Sequence, residues 1–138
     1  MLRVLIVDDE PLARQKLRQL LVAHPELSIT GEAECVPEAL EKIRAENFDV
    51  LFLDVRMPGA DGFSLLRELE NPPAVIFVTA YSNYAVEAFA FSAIDYLVKP
   101  VRPTRLAQAV ARLEAKPAND PAWKTEDRIC FRTPERTV

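Results

Sequence analysis

Five times between residues 2 and 114, a short apolar run gives way to a stretch with helical spacing. Leu2 to Val7 is an apolar run, and Pro11, Leu12, Leu17, Leu20, Leu21 and Val22 then recur with helical period, Pro11 suiting a first helical turn. A weaker strand over Leu27 to Gly31 precedes a helix over Val36 to Glu46, with Ala39, Leu40 and Ile43 on one face. Val50 to Leu53 is a second strong strand. A loop at Met57-Pro58-Gly59-Ala60-Asp61-Gly62 leads to a helix over Phe63, Leu65, Leu66 and Leu69, stopped by Pro72 and Pro73. Ala74 to Val78, Asn83 to Ser92, Ile94 to Val98 and Pro103 to Glu114 complete the series as strand, helix, strand and helix. Alternation of this kind implies parallel βαβ units, right-handed crossovers and an α/β doubly wound five-stranded parallel sheet with helices on both faces. In such sheets function gathers at the carboxyl ends of the strands.

Those ends carry an unusual set of side chains. Asp8, Asp9 and Glu10 follow the first strand, Asp54 the third, Thr79 the fourth, and Lys99 the fifth. Singly, each has an ordinary explanation as a helix cap, a turn residue or a surface charge. Jointly they form a chemical unit. Carboxylates gathered at one place raise one another's pKa unless a cation offsets them. Hard oxygen ligands with open positions suit Mg²⁺, which keeps several waters and shares phosphate oxygens. Lys99 supplies a mobile point charge for phosphate, Thr79 a hydroxyl, and a carboxylate can itself accept a phosphoryl group.

Composition excludes several other classes. The chain has one histidine, His24, and two cysteines, Cys35 and Cys130, 95 positions apart, so neither a zinc site nor a Ser-His-Asp triad can be assembled. The cysteines are expected to be free thiols in a reducing compartment. Apolar residues at 49% and charged residues at 28% are too rich in core material for disorder. No apolar run approaches bilayer length, and the start of the chain lacks a secretory pattern, so a cytoplasmic protein without membrane contact is expected. Residues 1–114 hold twelve basic and seventeen acidic side chains, which argues against a broad nucleic-acid-binding face. Residues 115–138 are interrupted by Pro117, Pro121 and Pro134 and are too few to form a core. They read as a linker with the clipped start of a second domain, a self-docking or disordered tail being the alternative. Ile129 to Thr133 is a candidate short strand.

Val7-Asp8-Asp9-Glu10-Pro11, Leu53-Asp54-Val55-Arg56-Met57-Pro58-Gly59-Ala60-Asp61-Gly62, Thr79-Ala80 and Tyr96-Leu97-Val98-Lys99-Pro100 together resemble the signature of bacterial response-regulator receiver domains, in order and spacing, over residues 1–114. The resemblance implies the flavodoxin-like strand order 2-1-3-4-5. It implies that Asp54 accepts a phosphoryl group from a sensor histidine kinase. Asp9 would bind Mg²⁺ directly, Asp8 mostly through water, Asp54 with its own carboxylate, and Arg56 through its backbone carbonyl. Lys99 would contact the phosphoryl group and pair with Asp54 before transfer. Thr79 would hydrogen-bond the phosphoryl group, Tyr96 would change rotamer with it, and the Lys99–Pro100 peptide would be cis. The domain would not be an enzyme in the ordinary sense but a phosphoacceptor that assists its own phosphorylation and dephosphorylation.

The fourth helix is apolar nearly all round, with Glu87 its only charge, more than one buried face requires. A homodimer surface over the fourth helix, fifth strand and fifth helix is therefore expected, centred on Phe89, with Asp95, Arg105 and Arg112 as cross-subunit pairs. A well-covered helix is the alternative. The stretch from Thr79-Ala80-Tyr81 through Ala85 and Ala88-Phe89 to Ala93-Ile94-Asp95-Tyr96-Leu97 is similar to receivers coupled to LytTR-type DNA-binding domains, and Arg128-Ile129-Cys130-Phe131-Arg132 to the first strand of such a domain. DNA would then be bound only through a C-terminal domain absent from this chain. A stand-alone phosphorelay shuttle and a phosphorylation-independent interaction module remain rivals. A dehalogenase-type phosphatase does not, because its second acid falls where Arg56 stands. Arg56 and Tyr81 are large, and both are expected to screen a phosphorylated Asp54 from water.

Overall fold

The computed structural model describes residues 1–115. The candidate strand at Ile129–Thr133 and Cys130 lie outside them. The five strands are β1 (Leu2–Val7), β2 (Leu27–Ala33), β3 (Val50–Leu53), β4 (Ala74–Thr79) and β5 (Asp95–Val98). The helices are α1 (Pro11–Leu21), α2 (Val36–Ala45), α3 (Gly62–Arg67), α4 (Ala85–Ala90) and α5 (Pro103–Ala115). All neighbouring strands are parallel, in the order β2-β1-β3-β4-β5. The registers Val7↔Leu53 and Leu53↔Phe77 bring β1, β3 and β4 to nearly one level at their carboxyl ends.

The period-2 pattern of the strands decides which helices lie on which face. Val4 and Ile6 of β1 point with Phe52, Ile76 and Leu97 to one face, covered by Leu17 and Leu21 of α1 and Leu106, Ala109, Val110 and Leu113 of α5. Leu5 and Val7 point with Leu51, Leu53 and Phe77 to the other, covered by Val36 and Ala39 of α2, Phe63 and Leu65 of α3 and Ala88 of α4. Both faces of the central strands are covered by helices, in keeping with their continuous apolar runs. Phe77 is fully buried, with its ring centroid 5.1 Å from that of Phe63. No helix among the described residues is long and apolar enough to cross a membrane.

Three elements differ from the sequence pattern. β2 continues past Gly31 to Ala33, whose carbonyl accepts from Asp8 N–H at 3.0 Å. The third helix ends at Arg67, and Leu69 only closes a last turn onto Leu66. The helix expected over Asn83–Ser92 is split: a 3₁₀ turn (Ser82–Tyr84) leads into α4, and Tyr84 (φ −112°, ψ 12°) is not helical. Past the C-cap Phe91 of α4, Ser92 adopts φ 60°. The N–H groups of Ser92 and Ala93 donate to the carbonyls of Phe89 and Ala88, a Schellman closure with serine where glycine is usual. A side chain in this left-handed region costs about 1–2 kcal/mol, part of which glycine gives back in unfolded-chain entropy. Ser92→Gly is therefore expected to stabilise the domain by about 0.5–1 kcal/mol. Urea unfolding checks this, with a higher midpoint at unchanged slope.

Candidate functional site

The sheet ladder does not stop where the strands do. Asp54 N–H donates to the Val7 carbonyl at 3.0 Å, and Lys99 N–H to the Thr79 carbonyl at 2.8 Å. Together with the Asp8–Ala33 bond, these fix the backbones of Asp8, Asp54 and Lys99 one step past their strands, on a single edge. Asp8 and Asp54 are buried, Asp9 half-buried, and Thr79 has no exposed surface. Lys99 Nζ lies 2.7 Å from Asp8 Oδ2 and 3.2 Å from Asp54 Oδ2. The Lys99–Pro100 peptide is cis.

One carboxylate oxygen from each of Asp8, Asp9 and Asp54 lies within 4.8 Å of the others. Asp54 Oδ1 is buried and meets no donor in hydrogen-bonding geometry among the described residues. Unpaired buried oxygens are costly, and this one lies in a cluster of hard ligands. The donor set fits Mg²⁺: all oxygen, few protein ligands, open positions. Burial pushes the Asp54 carboxyl above its ordinary range, and the Asp8 charge adds to this against the opposing pull of Thr79 and Lys99. Burial works against the Lys99 ammonium, but its bond to Asp8 and the charges of Asp54 and Asp8 prevail and hold its pKa above the usual lysine value.

Three further contacts support this edge. Arg14 of α1 donates through Nη1 to the Asp8 carbonyl at 2.6 Å and through Nε to Glu32 at 2.8 Å, bracing the β1–α1 turn. Its position one turn into α1 was the only pointer. Gly62 opens α3 so close to β3 that an added Cβ would stand 2.4 Å from the Asp54 carbonyl oxygen. Here the glycine in the quoted loop was the signal. The third is the Arg56 side chain. Its guanidinium lies 5.3 Å from the Tyr81 ring centroid and donates to Tyr84 Oη at 3.1 Å. It thus ties the loop after β3 to the segment after β4.

Tyr81 joins the same segment to the cluster: its N–H reaches Thr79 Oγ1 at 3.4 Å, and its carbonyl accepts from the Tyr96 hydroxyl. Tyr96 also packs on Phe77, with centroids 6.0 Å apart.

The residues expected as cross-subunit partners meet one another within the single chain. Asp95 is buried at the start of β5 and takes a two-pronged bond from Arg105, 2.8 Å on each oxygen, with Arg112 at 3.1 Å. All three close within one chain. α5 packs back on β5, and the two arginines, seven residues apart, lie on one helix face above that carboxylate. Burial alone would raise the Asp95 pKa, but Arg105 and the Tyr96 N–H, then Arg112, hold it below the ordinary range. The apolar helix α4 divides in two. Ala88 is buried and Tyr84 and Phe91 pack against Phe63, while Val86 and Phe89 stay 80% and 76% exposed.

An open 2-1-3-4-5 sheet with three carboxylates and a lysine on its carboxyl edge defines a receiver-type α/β domain. The chain belongs to the response regulator receiver domain family, whose pattern matches residues 4–111, and is thus a receiver domain of two-component response regulators. It is 40% identical over 129 residues to the Bacillus anthracis sensory transduction protein LytT, covering 91% of this chain and 52% of that protein. It is 41% identical over 122 residues to the Staphylococcus aureus transcriptional regulatory protein LytR, covering 86% and 50%. The chain therefore spans about half the length of these curated relatives. Thermotoga maritima TrrA, solved in complex with Mg²⁺ and BeF, superposes with a TM-score of 0.70 at 34% identity, covering 82% of this chain and 99% of that one.

The raised Asp54 pKa has a measurable sign. A carboxyl that ionises later in the folded state makes folding less favourable as pH rises from its ordinary value of 3.8 through its folded value. At pH 7 without divalent cations, Asp54→Asn is expected to melt several degrees above wild type. Thermal scans at falling pH check this, since the gap should close as pH approaches the ordinary carboxyl value.

Proposed function

We propose that Asp54 is the phosphoryl acceptor of this domain and that its phosphorylation remodels an output face on α4, β5 and α5. The observation that carries the reading is the orphaned, buried Oδ1 of Asp54 beside two further carboxylates and the Lys99 ammonium. An acceptor oxygen needs a free lone pair, and this is the one buried side-chain atom among the described residues without a partner.

In the transfer, a phosphohistidine of a sensor kinase approaches in line. The carboxylate oxygen of Asp54 forms a bond to phosphorus while the phosphorus–nitrogen bond breaks, its electron pair staying on the imidazole. Lys99 exchanges its contact with Asp54 for a phosphoryl oxygen and offsets the growing charge, so catalysis is positioning and electrostatics. Asp9 and Asp54, the Arg56 carbonyl and, mostly through water, Asp8 would hold Mg²⁺. When bound, the ion neutralises charge on the phosphoryl oxygens. The domain is a phosphoacceptor and not an enzyme with turnover, although it assists both its own phosphorylation and its dephosphorylation.

The new phosphoryl group carries nearly two negative charges and strong acceptor oxygens. It draws the Thr79 hydroxyl, which is the acceptor of the Tyr81 N–H. Tyr81 then shifts, its carbonyl releases the Tyr96 hydroxyl, and Tyr96 changes rotamer. The face so altered includes exposed Val86 and Phe89, flanked by the Asp95–Arg105–Arg112 cluster, and it suits a symmetric homodimer. Output is transcriptional, through a LytTR-type DNA-binding domain beyond this chain, in keeping with the LytR-type relatives. Residues 1–114 are the receiver and 115–138 the linker and start of that domain, in a cytoplasmic protein.

Incubation with Mg²⁺ and a small phosphodonor tests this. Wild type is expected to gain one phosphoryl group by mass and to shift toward dimer on a sizing column, whereas Asp54→Asn does neither. Unchanged wild-type mass would favour an interaction-only module, and a phosphorylated monomer a relay shuttle.

The packing of Arg56 on Tyr81 also bears on lifetime. Arg56 stands two residues after Asp54 and Tyr81 two after Thr79, and their stacked pair would screen the phosphoryl group from water and slow its loss. Tyr81→Ala is expected to speed that loss severalfold, as followed by phosphate release. An unaltered rate would remove the screening role.

A further inference from the structure

A second concave surface lies at the amino ends of the strands, away from the carboxylate cluster. It is a cavity of about 820 Å³. Its apolar lining includes Phe48 ahead of β3, Phe91 at the end of α4 and Leu113 in the last turn of α5. Its lining carries Glu26, Asp49, Glu70 and Glu114 against the single ammonium of Met1, while Arg3 and Arg67 lie over the Phe48 and Phe91 rings from outside the lining, 5.6 Å and 5.8 Å from their centroids. The proximity of Glu26 holds the exposed Glu114 carboxyl above its ordinary range, an acidic crowding that a cation would relieve.

The position of the last helix says what could cover this groove. α5 crosses back along the parallel sheet, so it ends at the amino edge. Its final residues, Leu113 and Glu114, are themselves part of the groove. The chain goes on as Lys116-Pro117-Ala118-Asn119-Asp120-Pro121-Ala122-Trp123-Lys124. Trp123, the single tryptophan of the protein, comes eight residues after Ala115, a stretch that spans at most about 26–29 Å. It is a large apolar group with one polar handle, and Lys124 follows it directly.

We propose that this groove seats the chain's own linker, with Trp123 against the apolar lining and Lys124 on the acidic rim. Reach, charge complementarity and continuity with α5 all favour the linker over a foreign partner. The seat has a consequence that rests on the proposed switch. Phe91 stacks on Phe63 with centroids 5.4 Å apart and closes α4, so a linker resting on Phe91 touches the element that phosphorylation moves. Whatever follows the linker would then be oriented by the state of α4.

Because Trp123 is the only tryptophan, intrinsic fluorescence of the full 138-residue chain reports its surroundings alone. Unphosphorylated protein is expected to emit to the blue of a free peptide of residues 116–128 and to be quenched severalfold less by acrylamide. The double variant Glu70→Lys/Glu114→Lys should move both readings toward the peptide. Independently, Trp123→Ala should shift the amide resonances of Phe48, Phe91 and Leu113 in two-dimensional spectra of the full chain. Peptide-like emission and quenching would overturn the proposal. So would protection that survives the charge reversal with amide shifts confined to another face, or protection lost on dilution, which would mean a second copy in the groove. None of these readings needs phosphate on Asp54, so failure here leaves the phosphoacceptor reading untouched, and the reverse also holds.

Discussion

One ammonium holds the carboxyl edge together. Lys99 reaches across from β5 to meet Asp8 after β1 and Asp54 after β3, spanning the middle of the sheet. Against it stand three carboxylates within 4.8 Å, so the cluster keeps an excess of negative charge where water is largely excluded. Such an arrangement is costly, and the pKa directions register the cost. Asp54 resists ionising, while Lys99 is held charged more firmly than a free lysine. A site with this imbalance favours whatever brings positive charge.

The same edge explains why a change at Asp54 need not stay local. Thr79 is fully buried and leads straight into the segment that carries Tyr81 and Tyr84. That segment is not a regular helix. It is a short 3₁₀ turn, a non-helical Tyr84, and six residues of α4 closed by a serine in a conformation better suited to glycine. It is anchored by the Arg56–Tyr84 bond and the Arg56–Tyr81 stack, both exposed and weak beside a packed core. An element of few turns, imperfect capping and exposed tethers has low local stability, which is what a moving part requires. The core beneath, with Phe63 and Phe77 in contact, is the fixed counterpart.

The sheet and the cluster were legible because they rest on long-range regularities. Period-2 apolar runs place the strands, and residues at or one step past the end of parallel strands land on the same edge, so Asp8, Asp54, Thr79 and Lys99 follow from counting. What the sequence hid depends on side-chain reach. Asp95, Arg105 and Arg112 look like free charges on a surface, yet they close on one another because α5 lies over β5 and a buried carboxylate draws every cation within range. Arg56 followed the acidic positions as a backbone ligand, but its side chain turns toward two tyrosines of the next loop, a contact that no spacing announces. The break at Tyr84 was equally invisible, since Asn83 to Ser92 keeps helical composition throughout.

A parallel sheet separates entry from exit. The acidic cluster must lie at the carboxyl ends, and a helix returning from the last strand must finish at the amino ends, about 20 Å away for six-residue strands. The strands are close-packed between two apolar layers, which leaves them little room to rearrange. A signal from Asp54 needs an element that begins beside the cluster and finishes near the other end. The segment from Tyr81 through α4 to Phe91 meets both conditions. Tyr81 sits over Thr79 at one end, and Phe91 lines the amino-end groove beside the last turn of α5 at the other. The six-residue helix α4 and the 3₁₀ turn before it therefore lie on the most direct route between the site and the continuing chain.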